Sequence, residues 1–195
     1  EEREKFLNFV YRRKKNEPIA YITNNKSFWR DNFKINKSVL IPRPDSEHLV
    51  EQTLKLIKKN QAKRILDVGV GSGCLSISIL KERLNCKCDA IDPCKNALKL
   101  AKINANLHQL SDRIKFYKRD VDNFYNDKYD LIISNPPYII KHKIKYLGSI
   151  NYEPKIALDG GLDGLDIIKK VILKSKILLK INGKLIIEIG YDQKY

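Results

Sequence analysis

Arg64-Ile65-Leu66-Asp67-Val68-Gly69-Val70-Gly71-Ser72-Gly73 decides the fold. A short apolar run reads as a buried strand, and it breaks into a loop of the form D-x-G-x-G-x-G. Glycines there permit positive φ and close approach of the backbone to a ligand. A dinucleotide fingerprint would need glycine at position 74, where Cys74 stands, so no pyrophosphate cradle is read. Downstream the pattern predicts a helix over 74–84, a strand over 87–92, a helix over 94–108, strands over 114–119 and 129–134, a helix over 163–180 and a strand over 184–189. Strands alternating with helices imply an α/β fold: a doubly wound, mostly parallel, Rossmann-like sheet with helices on both faces. Such sheets bind ligands at the carboxyl ends of their strands. The chemistry is therefore expected in the loops after residues 68, 92 and 134.

Asp92 ends the second of these strands, 19 residues after Gly73. A carboxylate there has two acceptor oxygens for the two hydroxyls of a ribose diol, so glycine loop and acid together point to a nucleoside. After the strand over 129–134 comes Asn135-Pro136-Pro137-Tyr138. Two prolines stiffen the loop and contribute no N–H. The Asn135 side-chain oxygen and the Pro136 carbonyl are then two fixed acceptors, matched to a substrate NH2 group, and Tyr138 offers a flat flank. An amide or arylamine nitrogen is a poor nucleophile because its lone pair is delocalised. Holding both N–H bonds orients the nitrogen and returns electron density to it, without a strong base.

Toward the N-terminus, residues 3–15 read as a helix ended by Asn16-Glu17-Pro18, and residues 19–41 as a small hairpin. Ile41-Pro42-Arg43-Pro44 is an extended loop, and Asp45 or Ser46 is placed to cap a helix running to about Lys59. The 195 residues carry a formal charge of +15, with Lys outnumbering Arg 29 to 9. That excess reads first as a solvated, lysine-rich surface; a nucleic-acid partner is compatible with it and not required. Cys74, Cys86, Cys88 and Cys94 lack paired zinc-knuckle spacing, so no metal site is expected, and the cysteines suit a reducing, cytoplasmic setting. No apolar run is long enough to span a membrane, and no membrane partner is expected. Without any Met and opening on Glu1-Glu2-Arg3-Glu4, the sequence is expected to be a piece of a longer chain.

The loop Asp67–Gly73 resembles motif I of class I S-adenosyl-L-methionine-dependent methyltransferases. Asn135–Tyr138 resembles motif IV of the amino-methyltransferases, which modify adenine N6, guanine N2 or a protein glutamine N5. Flanking blocks narrow the resemblance. Glu17-Pro18-Ile19-Ala20-Tyr21, Ile41-Pro42-Arg43-Pro44-Asp45-Ser46-Glu47, Tyr152-Glu153-Pro154 with Ala157-Leu158-Asp159-Gly160-Gly161 and Asp163-Gly164-Leu165, and Glu188-Ile189-Gly190-Tyr191-Asp192-Gln193 stand in the order found in the release-factor glutamine methyltransferases (the PrmC/HemK family). The likeness covers about residues 17–193.

The resemblance implies N5-methylation of the glutamine in the Gly-Gly-Gln motif of class 1 peptide chain release factors, with S-adenosyl-L-methionine as cofactor and S-adenosyl-L-homocysteine as product. It implies that Gly69, Val70, Gly71, Ser72 and Gly73 line the methionine part of the cofactor, that Asp92 holds the ribose, and that Asp120 or Val121 sits by the adenine, with Asn135 bordering both ligands. Asn135, Pro136 and Tyr138 are the implied catalytic residues. Asn135, Pro136, Pro137, Tyr138 and Arg43 are the implied substrate contacts, Arg43 as a buttress. Residues 1–16 correspond to the last helix of an N-terminal helical domain, 17–44 to a hairpin and linker, and 45–195 to the methyltransferase domain, expected to stop short after strand five. Two alternatives stay open: an amino-methyltransferase of RNA or DNA, including a fused tRNA methyltransferase domain in a longer chain, and a non-catalytic cofactor-binding module. The stretch 139–151 is expected to be mobile.

Overall fold

The computed structural model of the chain describes residues 1–146, 148 and 152–194. Two helices lead, α1 (Glu2–Lys14) and α2 (Ile19–Thr23), followed by the hairpin strands β1 (Asn25–Phe28) and β2 (Asp31–Lys34) and by α3 (Glu47–Leu56). Then come β3 (Arg64–Val68), α4 (Cys74–Glu82), β4 (Lys87–Asp92), α5 (Lys95–Leu107), β5 (Ile114–Lys118), β6 (Tyr129–Ser134), α6 (Asp166–Leu178) and β7 (Leu179–Ile187).

The large sheet runs β5-β4-β3-β6-β7, with every neighbouring pair parallel. The chain starts in the middle at β3, works outward to β5, then crosses back to β6 on the other side of β3. The order therefore reverses between β3 and β6, where a doubly wound sheet opens its crevice. Val68 is in register with Ser134, and Ser134 with Ile187, so the segments leaving β3, β6 and β7 emerge side by side. The Ser134 hydroxyl donates to the Val68 carbonyl at 2.9 Å and pins the first two together.

Alternate residues point to opposite faces of the strands. Ile65, Cys88, Ala90, Leu131 and Ile133 face a core shared with α4, α5 and the hairpin's Phe28 and Phe33. Leu66, Val68, Ile91 and Ile132 face a smaller core with Val171 and Leu178 of α6. Asn104 of α5, fully buried, accepts from the Lys34 N–H at 2.8 Å and donates to the Lys34 and Ser72 carbonyls at 3.0 and 2.8 Å. One amide thus ties the hairpin to the glycine loop.

Several boundaries depart from the sequence reading. The hairpin covers only 25–34, and residues 19–23, read as part of it, form the short helix α2. Pro18 stands at its N-terminal cap and Asn24, at φ +53°, ends it. The helix expected from 163 begins at Asp166, because the Asp163 carboxylate turns the chain by accepting the Leu165 N–H at 2.9 Å. The last strand starts five residues early, and its pairing with β6 is interrupted before Lys184 by the positive φ of Asn182. Of the stretch expected to be mobile, Ile139 is bridged to Asp159 and residues 141–146 form a 3-10 turn; residues 147 and 149–151 lie outside the described residues.

Candidate active site

The glycine loop is shaped by β4 as much as by its own residues. The Gly69 and Val70 N–H groups both donate to the Ile91 carbonyl, at 2.9 and 3.1 Å. The Asp92 carboxylate then takes the Gly71 N–H on one oxygen at 3.0 Å and the Cys94 N–H on the other at 2.8 Å. Each oxygen keeps a free lone pair. Burial raises the Asp92 carboxyl, with those two bonds pulling against it. Beneath the loop Asp67 is fully buried, and neither of its oxygens has a hydrogen-bond partner among the described residues. Burial pushes it up to about 7, Ser76 close by pulling down and the Asp92 charge adding to the push.

A cavity opens here, walled by Gly69, Val70, Gly71, Ser72, Asp92, Asp120, Val121, Asn135, Pro136 and Pro137. Apart from its chain neighbours, a Cβ built on Gly69 meets no atom of the described residues within 4 Å, so the space a side chain would fill belongs to the cavity. Gly73 is placed differently. Its Cβ would press on Ile77 at 3.0 Å, it does not line the cavity, and its absence of a side chain serves the packing of α4 against α5.

Asn135 and Tyr138 are joined through residues far away in sequence. The Asn135 side-chain NH2 donates to the Ser46 hydroxyl at 2.9 Å. Ser46 donates to one oxygen of Glu188 at 2.6 Å, and the Tyr138 hydroxyl donates to the other at 3.1 Å. Glu188 lies one residue past β7, and its own N–H donates to the Ser134 carbonyl at 3.0 Å, which sets it beside the Asn135 loop. Burial, then the neighbouring Glu188, push the Tyr138 phenol up to about 12, so it stays a donor. Tyr138 borders this network rather than the cavity wall. The Ser46 hydroxyl does not cap α3, as its place before that helix suggested; it is spent inside the site.

The Tyr138 backbone is clamped from the other side. Gln193 donates to the Tyr138 and Gly164 carbonyls at 3.1 and 3.0 Å. Gly164 has φ +77°, and a Cβ on it would sit 2.5 Å from the Tyr138 carbonyl oxygen, so only glycine fits. Arg43, also outside the cavity wall, pairs with the buried Glu153, whose second oxygen takes the Ile41 N–H at 2.9 Å. It buttresses the 41–43 segment against the 152–154 block.

Neither Ser46 nor Glu188 stood among the candidate site residues. Glu188 had a signal: like Asp92, it is an acid at the carboxyl end of an apolar strand. Ser46 had only its place in the Ile41–Glu47 block, since a hydroxyl before a helix reads as a cap.

The family described as "Methyltransferase small domain" matches residues 46–149. The release factor glutamine methyltransferase of Clostridium acetobutylicum is 40% identical over 195 residues, covering 96% of this chain and 68% of that protein. The chain belongs to the release factor glutamine methyltransferase family. The protein of the same name from Coxiella burnetii is 42% identical over 185 residues, 95% of this chain, and a bifunctional methyltransferase of Rickettsia typhi is 40% identical over 97% of it. The chain spans 66% of the Coxiella protein's length and 41% of the Rickettsia protein's. In fold it is similar to TrmN from Thermus thermophilus, with a TM-score of 0.55 at 19% identity over 74% of this chain and 38% of that one. The cofactor of the family is S-adenosyl-L-methionine. The side-chain-free space at Gly69 and the spare lone pairs of Asp92 fit its methionine end and its ribose. Among the described residues no helix is long and apolar enough to cross a membrane.

Proposed function

We propose that this protein is a cytoplasmic enzyme of translation termination that methylates the N5 amide nitrogen of the Gly-Gly-Gln glutamine in class 1 peptide chain release factors. The observation that carries the reading is that Asn135 and Pro136 share one cavity wall with Asp92 and the glycine loop, so a pair of acceptors for an NH2 group borders the same cleft. The bound cofactor supplies an electrophilic methyl group on a sulfonium and leaves as S-adenosyl-L-homocysteine. Gly69 and Gly71 leave room for its methionine end, and Asp92 accepts from the ribose hydroxyls. Asp120 and Val121 border the adenine; Val121, being aliphatic, gives packing there rather than ring stacking.

The Asn135 side-chain oxygen and the Pro136 carbonyl accept the two N–H bonds of the glutamine amide. That orients the nitrogen and raises its electron density, so positioning supplies most of the rate. Tyr138 keeps its proton, so it holds the loop and does not act as a base. The nitrogen gains a methyl group and loses one proton, which passes to water once methylation has made it acidic.

Full-length protein incubated with methyl-labelled cofactor and a release factor is expected to label the factor, and to lose that label when the Gly-Gly-Gln glutamine is changed to Ala. Label in RNA or DNA, falling steeply with salt, replaces this reading with nucleic-acid amino-methylation. Cofactor binding with no labelled product at all leaves a non-catalytic module. Asn135→Ala is expected to keep cofactor affinity and lose turnover, since its contact is made to the reacting group.

A further inference from the structure

We infer that Glu188, acting through Ser46, fixes which end of the Asn135 amide faces the cavity, and thereby makes the site select a carboxamide over a carboxylate. The inference rests on the glutamine reading above and adds to it two positioning residues and a source of specificity.

An asparagine amide carries an acceptor at one end and two donors at the other, and the two ends are nearly the same size. For Asn135 to receive an NH2 group its oxygen must face the cavity; turned over, it presents N–H bonds and suits a carboxylate instead. The neighbouring groups leave no such freedom. Glu188 takes a hydroxyl on each oxygen, Ser46 at 2.6 Å and Tyr138 at 3.1 Å, the pattern of an acceptor-only carboxylate. Ser46 has a single hydroxyl proton, and the short contact to Glu188 consumes it. The Ser46 oxygen can then only accept along its 2.9 Å contact with Asn135, so the NH2 end of Asn135 must lie against Ser46. By exclusion the amide oxygen is left for the cavity, which Ser46 and Asn135 both line. Ser46 is buried, so water does not compete for these bonds. Glu188 is held in turn by the bond from its own N–H to the Ser134 carbonyl. Direction thus passes from a carboxylate just past the last strand, through one hydroxyl, to the group that meets the substrate.

Reversing the source should reverse the result. In Glu188→Gln the new side chain can accept from Tyr138 only by turning its NH2 toward Ser46. Ser46 must then donate to Asn135, and Asn135 turns over. In Ser46→Ala Asn135 is released, whereas Ser46→Thr keeps the hydroxyl.

The test measures two quantities on the full-length protein and these three variants. One is the ratio of affinities for a Gly-Gly-Gln peptide and a Gly-Gly-Glu peptide, with kcat on the former. The other is the Asn135 side-chain NH2 resonance. Expected are a kcat lowered roughly tenfold or more in Ser46→Ala and Glu188→Gln, and a Gln-to-Glu preference narrowed by at least about tenfold, most in Glu188→Gln. The Asn135 resonance is expected to shift in both, and Ser46→Thr to restore wild-type values. An unchanged preference and an unchanged Asn135 resonance overturn the inference, even if kcat falls, because a merely structural loss lowers kcat without touching selectivity. If the wild-type protein does not methylate the Gly-Gly-Gln peptide, the functional reading fails separately, and the Asn135 resonance still decides the orientation.

Discussion

Midway along β4, one oxygen of Asp89 gathers donors from the amino end of the sheet: the Tyr129 hydroxyl at 2.7 Å, the Arg64 guanidinium at 2.7 Å and the Asn126 amide at 3.2 Å. Three residues further along, at the carboxyl end of β4, Asp92 holds two backbone N–H groups, and Asp67, next to last in β3, has no hydrogen-bond partner among the described residues. The same contrast separates Asp127 and Asp130 from Asp67 and Asp92 in their titration. The Arg64 guanidinium lowers Asp127. Burial pushes Asp130 up, but the Arg64 N–H and Lys180 outweigh it and leave it lowered. Asp67 and Asp92 are both raised, chiefly by burial. Acids at one end are matched by fixed cations; those at the other are held by neutral donors or by nothing. A saturated acid serves the fold, whereas Asp92, with lone pairs to spare on the cavity wall, can still accept from a ligand.

The largest effect expected from this contrast is a pH dependence at Asp67. Its folded value of about 7 lies above its ordinary 3.8, so the folded state holds a proton that the unfolded chain releases. The stabilising contribution is complete below about pH 4, declines as pH rises, and is gone above about pH 7. The slope is about 1.4 kcal/mol per pH unit inside that window, or about 4 kcal/mol in all. Asp67→Asn removes this titration. Denaturant midpoints of variant and wild type, compared at pH 4 through 8, should diverge up to pH 7 in favour of the variant and run parallel beyond it. Parallel curves throughout would mean that Asp67 is compensated after all.

Asp89→Ala tests the other end. Three donors lose their acceptor, and Arg64 keeps its ion pair with Asp127. Removing one side of a buried pair costs about 3–5 kcal/mol; the partial exposure of Arg64 favours the lower end, about 3 kcal/mol. Cofactor affinity should not change. A denaturation curve and a titration with S-adenosyl-L-homocysteine on the same variant read both quantities, and a loss of affinity at this position would break the division between the two ends.

Asp92→Ala is the mirror case. It should weaken S-adenosyl-L-homocysteine binding by about 30-fold, equivalent to the 2 kcal/mol of a charge-assisted hydrogen bond, with less effect on stability than Asp89→Ala. Calorimetric titration gives the number directly. An undiminished affinity removes Asp92 from the ribose site.

These differences explain what the sequence disclosed and what it withheld. β3 and β6 were legible as apolar runs with their own turn chemistry, and Asp92 and Asn135 stood out by ending strands with polar groups that packing does not need. The short helix α2 was hidden because Ile19-Ala20-Tyr21-Ile22 is apolar without a clear period, and only Pro18 before it and Asn24 after it mark a helix. Ser46 and Glu188 were hidden for a different reason. Their partnership spans 142 residues and exists only once β7 lies beside β6 and the chain before α3 folds across both. The candidate site was readable where a loop makes it alone, at Gly69–Ser72 and Asn135–Pro137. It was unreadable where the sheet brings strangers together.

The smallest effect expected is at Lys180, and its smallness is informative. Lys180 reaches Asp130 at 3.0 Å from a half-exposed position, while the Arg64 N–H at 2.8 Å and Lys63 at 3.4 Å share the same carboxylate. Exposed ion pairs contribute under about 1 kcal/mol, and here two other donors remain when one leaves. Lys180→Ala should therefore move the denaturant midpoint by less than about 1 kcal/mol, and less still in high salt, where the Coulomb part is screened. Redundancy of that kind is what the carboxyl end lacks. Among the described residues Asp92 has no cation to fall back on and Asp67 no hydrogen-bond partner to lose, so single changes there should alter binding or titration while single changes among the amino-end cations are absorbed. A loss at Lys180 as large as that at Asp89 would show that the amino end depends on each of its charges separately, and saturation would no longer distinguish the two ends of the sheet.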